Sequence, residues 1–349
     1  MLNRTSTSLI SIASLVIILA AARAAQEIVL PFLLAAFISI IAAAPVTWLR
    51  NKRIPPVLAV AIIVVMIIGL LFGTTLILAS SIEGFSKTLP QYMERLQGLT
   101  DQTLQWLAGF GISLSGTGIR DAFDPGAAMR FANSILGSLA KLMSNTFLLI
   151  LTVILIMLEA STFSEKIELI QNDAGKTLAQ VGRFLDTTKQ YMAIKAMTSL
   201  ITGILITIGM MLLGVDYAVL WGFLAFILNF IPTIGSIIAA VPAVLLALLQ
   251  LGFGSALAVA AFFLAVNLLI GNVIEPRVMG RGVGLSTLVV FLSLVFWGWL
   301  FGPIGMLLSV PLTMVVKFGT ESNESTRWIA TMLSPLPVIT EQDEAGSKK

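Results

Sequence analysis

The chain has 349 residues, of which 57% are apolar and only 11% are charged, whereas about a quarter of the residues in a soluble globular domain carry a charge. It contains no cysteine and no histidine, which excludes disulfides, thiolate catalysis and the usual zinc ligands, so we expect neither a metal site nor a cofactor. The net charge of +3 comes without a long basic tract, so the expected partner is the lipid bilayer and not nucleic acid.

Long uncharged stretches predict the spanning helices, because a helix needs about 20 predominantly apolar residues to cross a bilayer. We therefore predict an all-α, polytopic membrane protein. Five stretches have the length of about one span, and two are much longer. The five are 5–22, 28–49, 57–82, 142–158 and 196–215, and the longer ones are 217–274 and 282–316.

Charged segments between these stretches predict the orientation. Arg50, Lys52 and Arg53 follow the second stretch without an acidic neighbour, which places that loop and the N-terminus in the cytoplasm. The segment 83–141 then lies outside, and its helical periodicity predicts two helices near the outer surface, which could pack there or contact another copy in a homo-oligomer. The segment 163–190 has basic residues beside an apolar stripe, which predicts a cytoplasmic amphipathic helix on the membrane.

The stretch 217–274 is best explained by a re-entrant hairpin followed by one span. Two full spans would deliver Arg277 and Arg281 to the outside, against the positive-inside bias. A hairpin over 217–250 that enters and leaves from outside returns both arginines to the cytoplasm. Its first arm has 12 residues, 217–228, which is about 18 Å of helix and too short for about 30 Å of hydrocarbon.

The motif that breaks this hairpin recurs farther along the chain. PTIG at 232–235, followed by VP at 241–242, is echoed by PIG at 303–305 and VP at 310–311, about 70 residues later. We predict a second hairpin that enters from the cytoplasm, which gives an inverted repeat of the kind found in transporters whose solute binds near the midplane. Chance is the alternative explanation, since Gly, Pro and Val are common in membrane helices.

These predictions divide the chain into three parts. An N-terminal scaffold covers 1–190, an inverted-repeat transport domain covers 191–318, and a cytoplasmic tail covers 319–349. The two repeat units are 196–250 and 254–317. The whole would have about six full spans and two re-entrant helical hairpins.

At the breaks the chain resembles the autoinducer-2 exporter family of bacterial membrane proteins. The resemblance rests on GVDYAVLWGFLAFILNFIPTIGSIIAAVPA at 214–243, NVIEPRVMGRGVGLS at 272–286 and FWGWLFGPIGMLLSVPLT at 296–313, and it covers nearly the whole chain. It implies a multi-pass protein of the bacterial inner membrane with both termini in the cytoplasm. The family is associated with export of autoinducer-2, and other members are linked to sodium/proton antiport, so the identity of the solute does not carry over.

The first break supplies the leading candidates for solute binding. Asn229 and the unwound backbone around Pro232, Thr233 and Gly235 could coordinate a cation or a polyhydroxylated solute. The alternative is that Asn229 merely caps the break.

Further candidates lie on the following span and at the second break. Asn267 and Asn272 could each contact the solute or form a hydrogen bond between helices, because a buried amide in lipid needs a partner. Trp297, beside the second tip at Pro303 and Gly305, could stack on a ring-shaped solute or pack the scaffold.

A few charged residues could gate the pathway or couple it to protons. Glu275 could pair with Arg277 or Arg281 at the cytoplasmic mouth, carry a proton, or simply anchor the loop. Asp216, at the mouth of the first hairpin, could carry a proton or cap a helix. Glu159 is a third carboxylate, and its position at the end of a span favours a boundary charge.

The function predicted from these features is secondary transport of a small solute by alternating access. A Walker motif is absent from the sequence, which argues against ATP hydrolysis, and no nucleophile–base constellation suggests an enzyme. A sodium/proton antiporter, a channel lined by the hairpins and a membrane scaffold without flux are the alternatives.

Overall fold

The computed structural model describes residues 4–110, 137, 146–159, 174–232, 234–279, 284–321 and 324–335. These residues are helical almost throughout and include no β-strand, which confirms the predicted all-α class. In chain order the helices are α1 (Arg4–Ala24), α2 (Gln26–Asn51), α3 (Pro56–Gly109), α4 (Thr146–Glu159), α5 (Ala174–Leu212), α6 (Ala218–Leu228), α7 (Gly235–Leu251), α8 (Phe253–Asn267), α9 (Glu275–Met279), α10 (Thr287–Leu307), α11 (Ser309–Glu321) and α12 (Arg327–Leu333), with a π-helical segment (Leu268–Ile274) between α8 and α9.

Five helices within the described residues are long and apolar enough to cross a membrane, which confirms a polytopic membrane protein. They are α2, Pro56–Thr74 of α3, Val181–Leu212 of α5, Phe253–Met279 and α10. Among the shorter apolar helices, α6 has 11 residues and α7 has 17. At 1.5 Å per residue they measure about 16 and 25 Å, less than the roughly 30 Å of hydrocarbon. The predicted number of full spans stays a prediction.

The segment that we predicted to lie outside continues the helix of the third span. Helix α3 has 54 residues and is therefore about 80 Å long. We expected separate helices near the outer surface, but the described part of this segment, up to Gly109, extends the span without a break. The rest of it, residues 111–136 and 138–145, lies outside the described residues.

Helix α5 is also longer than the span predicted for it. It has 39 residues and joins the described part of the predicted amphipathic segment, from Ala174, directly to the fifth span. The scaffold boundary that we predicted at residue 190 therefore falls inside one helix. Residues 160–173 lie outside the described part of the chain.

Three apolar clusters organise the packing. The scaffold cluster joins α2, the start of α3 and α4, around Ala35, Ile63 and Val153. The middle cluster joins α2, the first half of α5, α10 and α11, around Phe37, Tyr191, Leu300 and Leu312. The hairpin cluster joins the second half of α5 to α6, α7 and α8, together with the outer part of α3, around Phe85, Ile206, Trp221, Leu246 and Val259.

Glycines hold α5 and α6 close together. A Cβ on Gly203 would lie 2.9 Å from the carbonyl oxygen of Gly222, and a Cβ on Gly222 would lie 2.6 Å from the carbonyl oxygen of Gly203. Lipid is as apolar as the side chains, so helices in a bilayer associate through such close packing. The two helices therefore form one body at the centre of the hairpin cluster.

Part of the predicted tail is folded. Helix α12 packs against α11, and the carbonyl of Leu333 accepts a hydrogen bond of 3.0 Å from the backbone N–H of Ser286. Residues 336–349 lie outside the described residues.

Candidate functional site

The first helix break separates α6 from α7 and has the position predicted from PTIG. Gly235 passes so close to the end of α6 that a Cβ there would lie 1.8 Å from the carbonyl oxygen of Leu228. Only glycine fits this approach. Pro232 is half-buried in the turn, and Thr233 lies outside the described residues.

The second break has a related backbone geometry. Gly302 adopts a left-handed conformation with φ of 66° inside α10, and a Cβ on Gly305 would lie 2.0 Å from the carbonyl oxygen of Trp297. At each break, a glycine after a proline thus lies against a carbonyl of the preceding helix. Gly305 is buried and Pro303 is exposed.

Asn229 links the first break to α5. Its backbone N–H caps α6 by bonding to the carbonyl of Ala225, while its side-chain amide donates a hydrogen bond of 3.0 Å to the Ser199 hydroxyl. The side chain is buried, with 8% of the residue exposed. Asn229 is therefore both a cap of the break, as one alternative held, and a buried polar group between helices.

The Glu275 carboxylate is paired with Lys195 of α5, a partner that was not among the alternatives considered for it. The Lys195 ammonium lies 2.8 Å from Oε1 and 3.0 Å from Oε2, and the exposed fractions of the two side chains are 6% and 17%. The π-helical segment before α9 shifts the following residues around the helix axis and directs Glu275 towards α5. Arg277 is exposed, and Arg281 lies outside the described residues.

Buried polar residues continue along the same face of α5. We call Lys195, Thr198, Ser199 and Thr202, together with Asn229 and Glu275, the polar layer; its four α5 residues are all buried. Lys195 and Ser199 are one helical turn apart, which is about 6 Å along the axis. The ion pair and the Asn229 amide are therefore neighbours.

The polar layer lies where two apolar clusters meet. On α5, Met192 belongs to the middle cluster and Ile201 packs against the hairpin cluster. In the facing helical segment that contains Glu275, Ile274 packs against the hairpin cluster and Met279 packs against the middle cluster. Glu275 thus occupies the same junction as Lys195.

Sequence reasoning missed Lys195 and Ser199. Lys195 directly precedes the uncharged stretch 196–215, so it was not counted with the span. The signal that could have identified it is the spacing of 195, 198, 199 and 202, which places four polar side chains on one face of a helix as it enters the apolar region.

Asp216 lies at the other end of α6, away from the polar layer. It is not the N-cap of that helix, which was the alternative to a role in proton transfer. Tyr217 is the N-cap of α6, with a left-handed φ of 58° and no side-chain cap. This turn directs the Asp216 carboxylate to α3, where it accepts a hydrogen bond of 3.3 Å from the Tyr92 hydroxyl. Burial, and then the Asp216 carboxylate, raise the pKa of Tyr92, so Tyr92 stays a hydrogen-bond donor at neutral pH.

The remaining candidates lie outside the polar layer. The Trp297 indole donates a hydrogen bond of 3.0 Å to Thr313 Oγ1 and stacks on Phe301, so it joins the arms of the second break. Asn267 is half-buried, and Asn272 is exposed on the surface of the π-helical segment. In the part of the chain that the structure describes, no group of three or more carboxylates, histidines and cysteines could hold a metal ion.

Comparison with known proteins adds the family. A family model described as AI-2E family transporter matches residues 12–322. The chain is 42% identical over 327 residues to the AI-2 transport protein TqsA of Escherichia coli K12, covering 94% of this chain and 95% of that protein. It is 41% identical over 338 residues to a putative transport protein of Haemophilus influenzae, covering 95% and 96%, and 36% identical over 327 residues to the putative transport protein YhhT of E. coli K12, covering 94% of each.

Proposed function

Because the chain belongs to the AI-2E family of bacterial transporters, we propose that it moves a small polar solute of the autoinducer-2 kind across the inner membrane as a secondary transporter. The name of the TqsA relative supports this choice of solute. The observation that carries the proposal is the polar layer, buried between two apolar clusters beside a helix break.

The chemistry of the polar layer suits a neutral solute that bears hydroxyl groups. The Asn229 amide, the Ser199 hydroxyl and the Lys195 ammonium are hydrogen-bond donors, and Glu275 is an acceptor. Polar groups at this depth are costly and are retained mainly where they serve transport or relay. One Lys and one Glu give no net charge, so a neutral passenger meets no electrostatic barrier from them.

We propose that access alternates through motion of the hairpin cluster against the scaffold cluster. The Gly203–Gly222 contact makes α5 and α6 one body, and α7 packs on both α6 and α8, so the first hairpin would move together with α5. In this proposal α6 and α7 form the re-entrant hairpin that enters from outside, Glu275 is near the cytoplasmic mouth, and both termini are cytoplasmic.

Sodium/proton antiport through Glu275 is less favoured by the geometry. A carboxylate that coordinates Na⁺ or carries protons must be free to exchange its partner, whereas both oxygens of Glu275 are bonded to Lys195. The ammonium already supplies the positive charge that a coupling cation would bring.

The test is efflux of autoinducer-2 from liposomes that contain the purified chain. We expect a flux that saturates with solute concentration and stops when the gradient is gone. Asn229→Ala should reduce this flux about tenfold, because losing one hydrogen bond to the solute costs about 1.4 kcal/mol. The matched control is Trp297→Phe, which removes a half-buried donor at the second break and should leave the flux within about twofold of the wild type.

Other results would contradict the proposal in different ways. Absence of autoinducer-2 flux in liposomes that hold folded protein would reject the solute. Single-channel currents that rise linearly with voltage would reject the carrier in favour of a pore. Equal loss in Asn229→Ala and Trp297→Phe would reject the polar layer as the binding site.

A further inference from the structure

We propose that Lys195 is a built-in counter-cation for Glu275, so that transport needs no Na⁺ or K⁺, and that removal of the Lys195 charge converts Glu275 into a binding site for a monovalent cation. The part that concerns transport rests on the function proposed above. The part that concerns cation binding stands on the geometry alone and is tested without any solute.

The position of the ammonium is the first argument. Lys195 Nζ bridges both oxygens of the Glu275 carboxylate, at 2.8 and 3.0 Å. A lysine ammonium is a compact point charge, and it occupies the bridging position that a small cation takes on a bidentate carboxylate. While Lys195 occupies this position, it fills the space and neutralises the negative charge that would attract a free cation.

Burial is the second argument. Only 6% of the Lys195 side chain and 17% of the Glu275 side chain are exposed, and a buried charge that loses its partner is strongly destabilising. Without Lys195 the carboxylate must either take up a proton or recruit a cation. An alkaline buffer, which holds few protons, favours the cation by mass action.

The oxygen atoms near Glu275 favour a hard cation, such as Na⁺ or K⁺. The hydroxyls of Thr198 and Ser199 lie within a helical turn of Lys195, and each keeps lone pairs that can accept. Carboxylate and hydroxyl oxygens suit hard cations and offer nothing to soft transition metals. Among the titratable groups nearby, Tyr191 of α5 is buried and Arg277 of α9 is exposed, and neither supplies a second buried positive charge.

A built-in cation has a consequence for energetics. The polar layer keeps zero net charge from Lys195 and Glu275 whether or not a neutral solute is bound. Moving one unbalanced charge through the membrane potential would make the flux depend on that potential. Wild-type flux of a neutral solute should therefore depend neither on the membrane potential nor on the cation in the buffer.

Thermal unfolding of the purified full chain tests the cation site directly. Lys195→Met is compared in NaCl, KCl and N-methyl-D-glucamine chloride at equal ionic strength and pH 8.5. We expect Na⁺ or K⁺ to raise the Tm of this variant by about 5 °C with a saturating concentration dependence, as ligand binding to the folded state requires. The wild type should show the same Tm in all three salts.

Three variants separate a specific site from a general salt effect. Lys195→Met combined with Glu275→Gln lacks the carboxylate and should lose the response to Na⁺. Lys195→Arg keeps the charge and should behave like the wild type. Lys317→Met removes another partly buried lysine, which donates to the carbonyl of Gly284, and should show no cation response.

Each outcome decides the proposal. A Lys195→Met protein with the same Tm in all salts, or a double variant that still responds to Na⁺, would overturn it. If Lys195→Met does not fold, wild-type binding of radioactive Na⁺ and wild-type efflux in the three salts decide instead: binding, or more than about twofold dependence of the flux on Na⁺, overturns the proposal. Absence of autoinducer-2 flux together with the expected Tm pattern rejects the solute and leaves the cation site in place.

Discussion

At the first helix break, the buried amide of Asn229 bonds to Ser199 and lies one turn from the Lys195–Glu275 pair. At the second break, the neighbouring side chain is the indole of Trp297, which bonds to Thr313 and stacks on Phe301. The backbones of the two breaks are alike, because each contains a glycine that no larger residue could replace. Their side chains are polar in one case and aromatic in the other.

The comparison shows that backbone geometry and solute chemistry are specified separately. Proline and glycine fix where the helices end, since proline removes a donor and glycine permits the close approach. The residues around them then decide whether the break offers hydrogen bonds or only packing. A repeated break is therefore not by itself a repeated binding site, and the first break is the one that we assign to the solute.

The largest expected effect is on the geometry that the two breaks share. Gly235→Ala and Gly305→Ala each bring a methyl group within about 2 Å of a carbonyl oxygen, and overpacking of this kind against backbone should cost 3 kcal/mol or more, at about the upper end of its usual range. Thermal unfolding in detergent should show both variants strongly destabilised. Gly254→Ala, where a Cβ meets nothing within 4 Å, is the control, and a Gly235→Ala protein as stable as this control would refute the predicted clash.

The next prediction concerns buried charge, which distinguishes the first break from the second. Lys195→Met leaves Glu275 without its partner and should cost about 3 kcal/mol in a buffer without small cations. Lys317→Met, on α11, loses one charged hydrogen bond to the carbonyl of Gly284 and should cost about 1.5 kcal/mol. Unfolding of both variants under the same conditions measures the difference, and equal costs would mean that the ion pair is no more important than an ordinary contact.

A matched pair of hydroxyl deletions compares the breaks more closely. Ser199→Ala removes the acceptor of the Asn229 amide, and Thr313→Val removes the acceptor of the Trp297 indole. Each leaves a buried donor unpaired, at a cost of about 1 to 2 kcal/mol in stability. We expect similar unfolding temperatures for the two, but a reduced efflux of autoinducer-2 in Ser199→Ala alone, and reduced efflux in both variants would show that the second break also takes part in binding.

The smallest effect is expected at the N-terminal end of α6, where Tyr92 of α3 bonds to Asp216. Tyr92→Phe removes the hydrogen bond to Asp216 and should cost about 0.5 kcal/mol at neutral pH. The pKa of Tyr92 is raised on folding, so its contribution is fully present below the ordinary tyrosine pKa of about 10 and is lost as the pH rises through the folded-state pKa.

The alkaline response gives the measurement for this last prediction. Between neutral pH and about pH 11 the unfolding temperature of the wild type should fall more than that of Tyr92→Phe. Thr88→Val keeps Tyr92 but removes a side-chain hydrogen bond that lowers the pKa of Tyr92, so it should show at least the wild-type alkaline loss. An identical alkaline loss in wild type and Tyr92→Phe would exclude the proposed role of Tyr92.

Much of the fold followed from the sequence because its causes are local. Uncharged stretches of about 20 residues predict spans in any context, and the breaks at Pro232–Gly235 and Pro303–Gly305 follow from the chemistry of two residue types. The short length of α6 followed from the same reasoning. Helix continuity was harder to predict, because in α3 and α5 apolar and amphipathic sequence adjoin without a residue that stops a helix. At both junctions we expected one helix to end and another to begin.

The polar layer could be predicted only in part. Asn229 and Glu275 stood out because an amide and a carboxylate are rare in apolar sequence. Lys195 and Ser199 did not, because they lie at the edge of a span and become buried only when α5 packs against α6 and α9.

Sequence by itself thus determined the membrane environment, the positions of the two breaks and the membership of the family. Tertiary structure decided which charges meet: Glu275 bonds to Lys195, 80 residues away, and Asp216 bonds to Tyr92. The physical reason is that composition and spacing act within one helix, whereas a salt bridge depends on how two helices are rotated and how closely they pack. Here a π-helical segment sets the rotation that brings Glu275 to α5, and a pair of facing glycines sets the distance between α5 and α6.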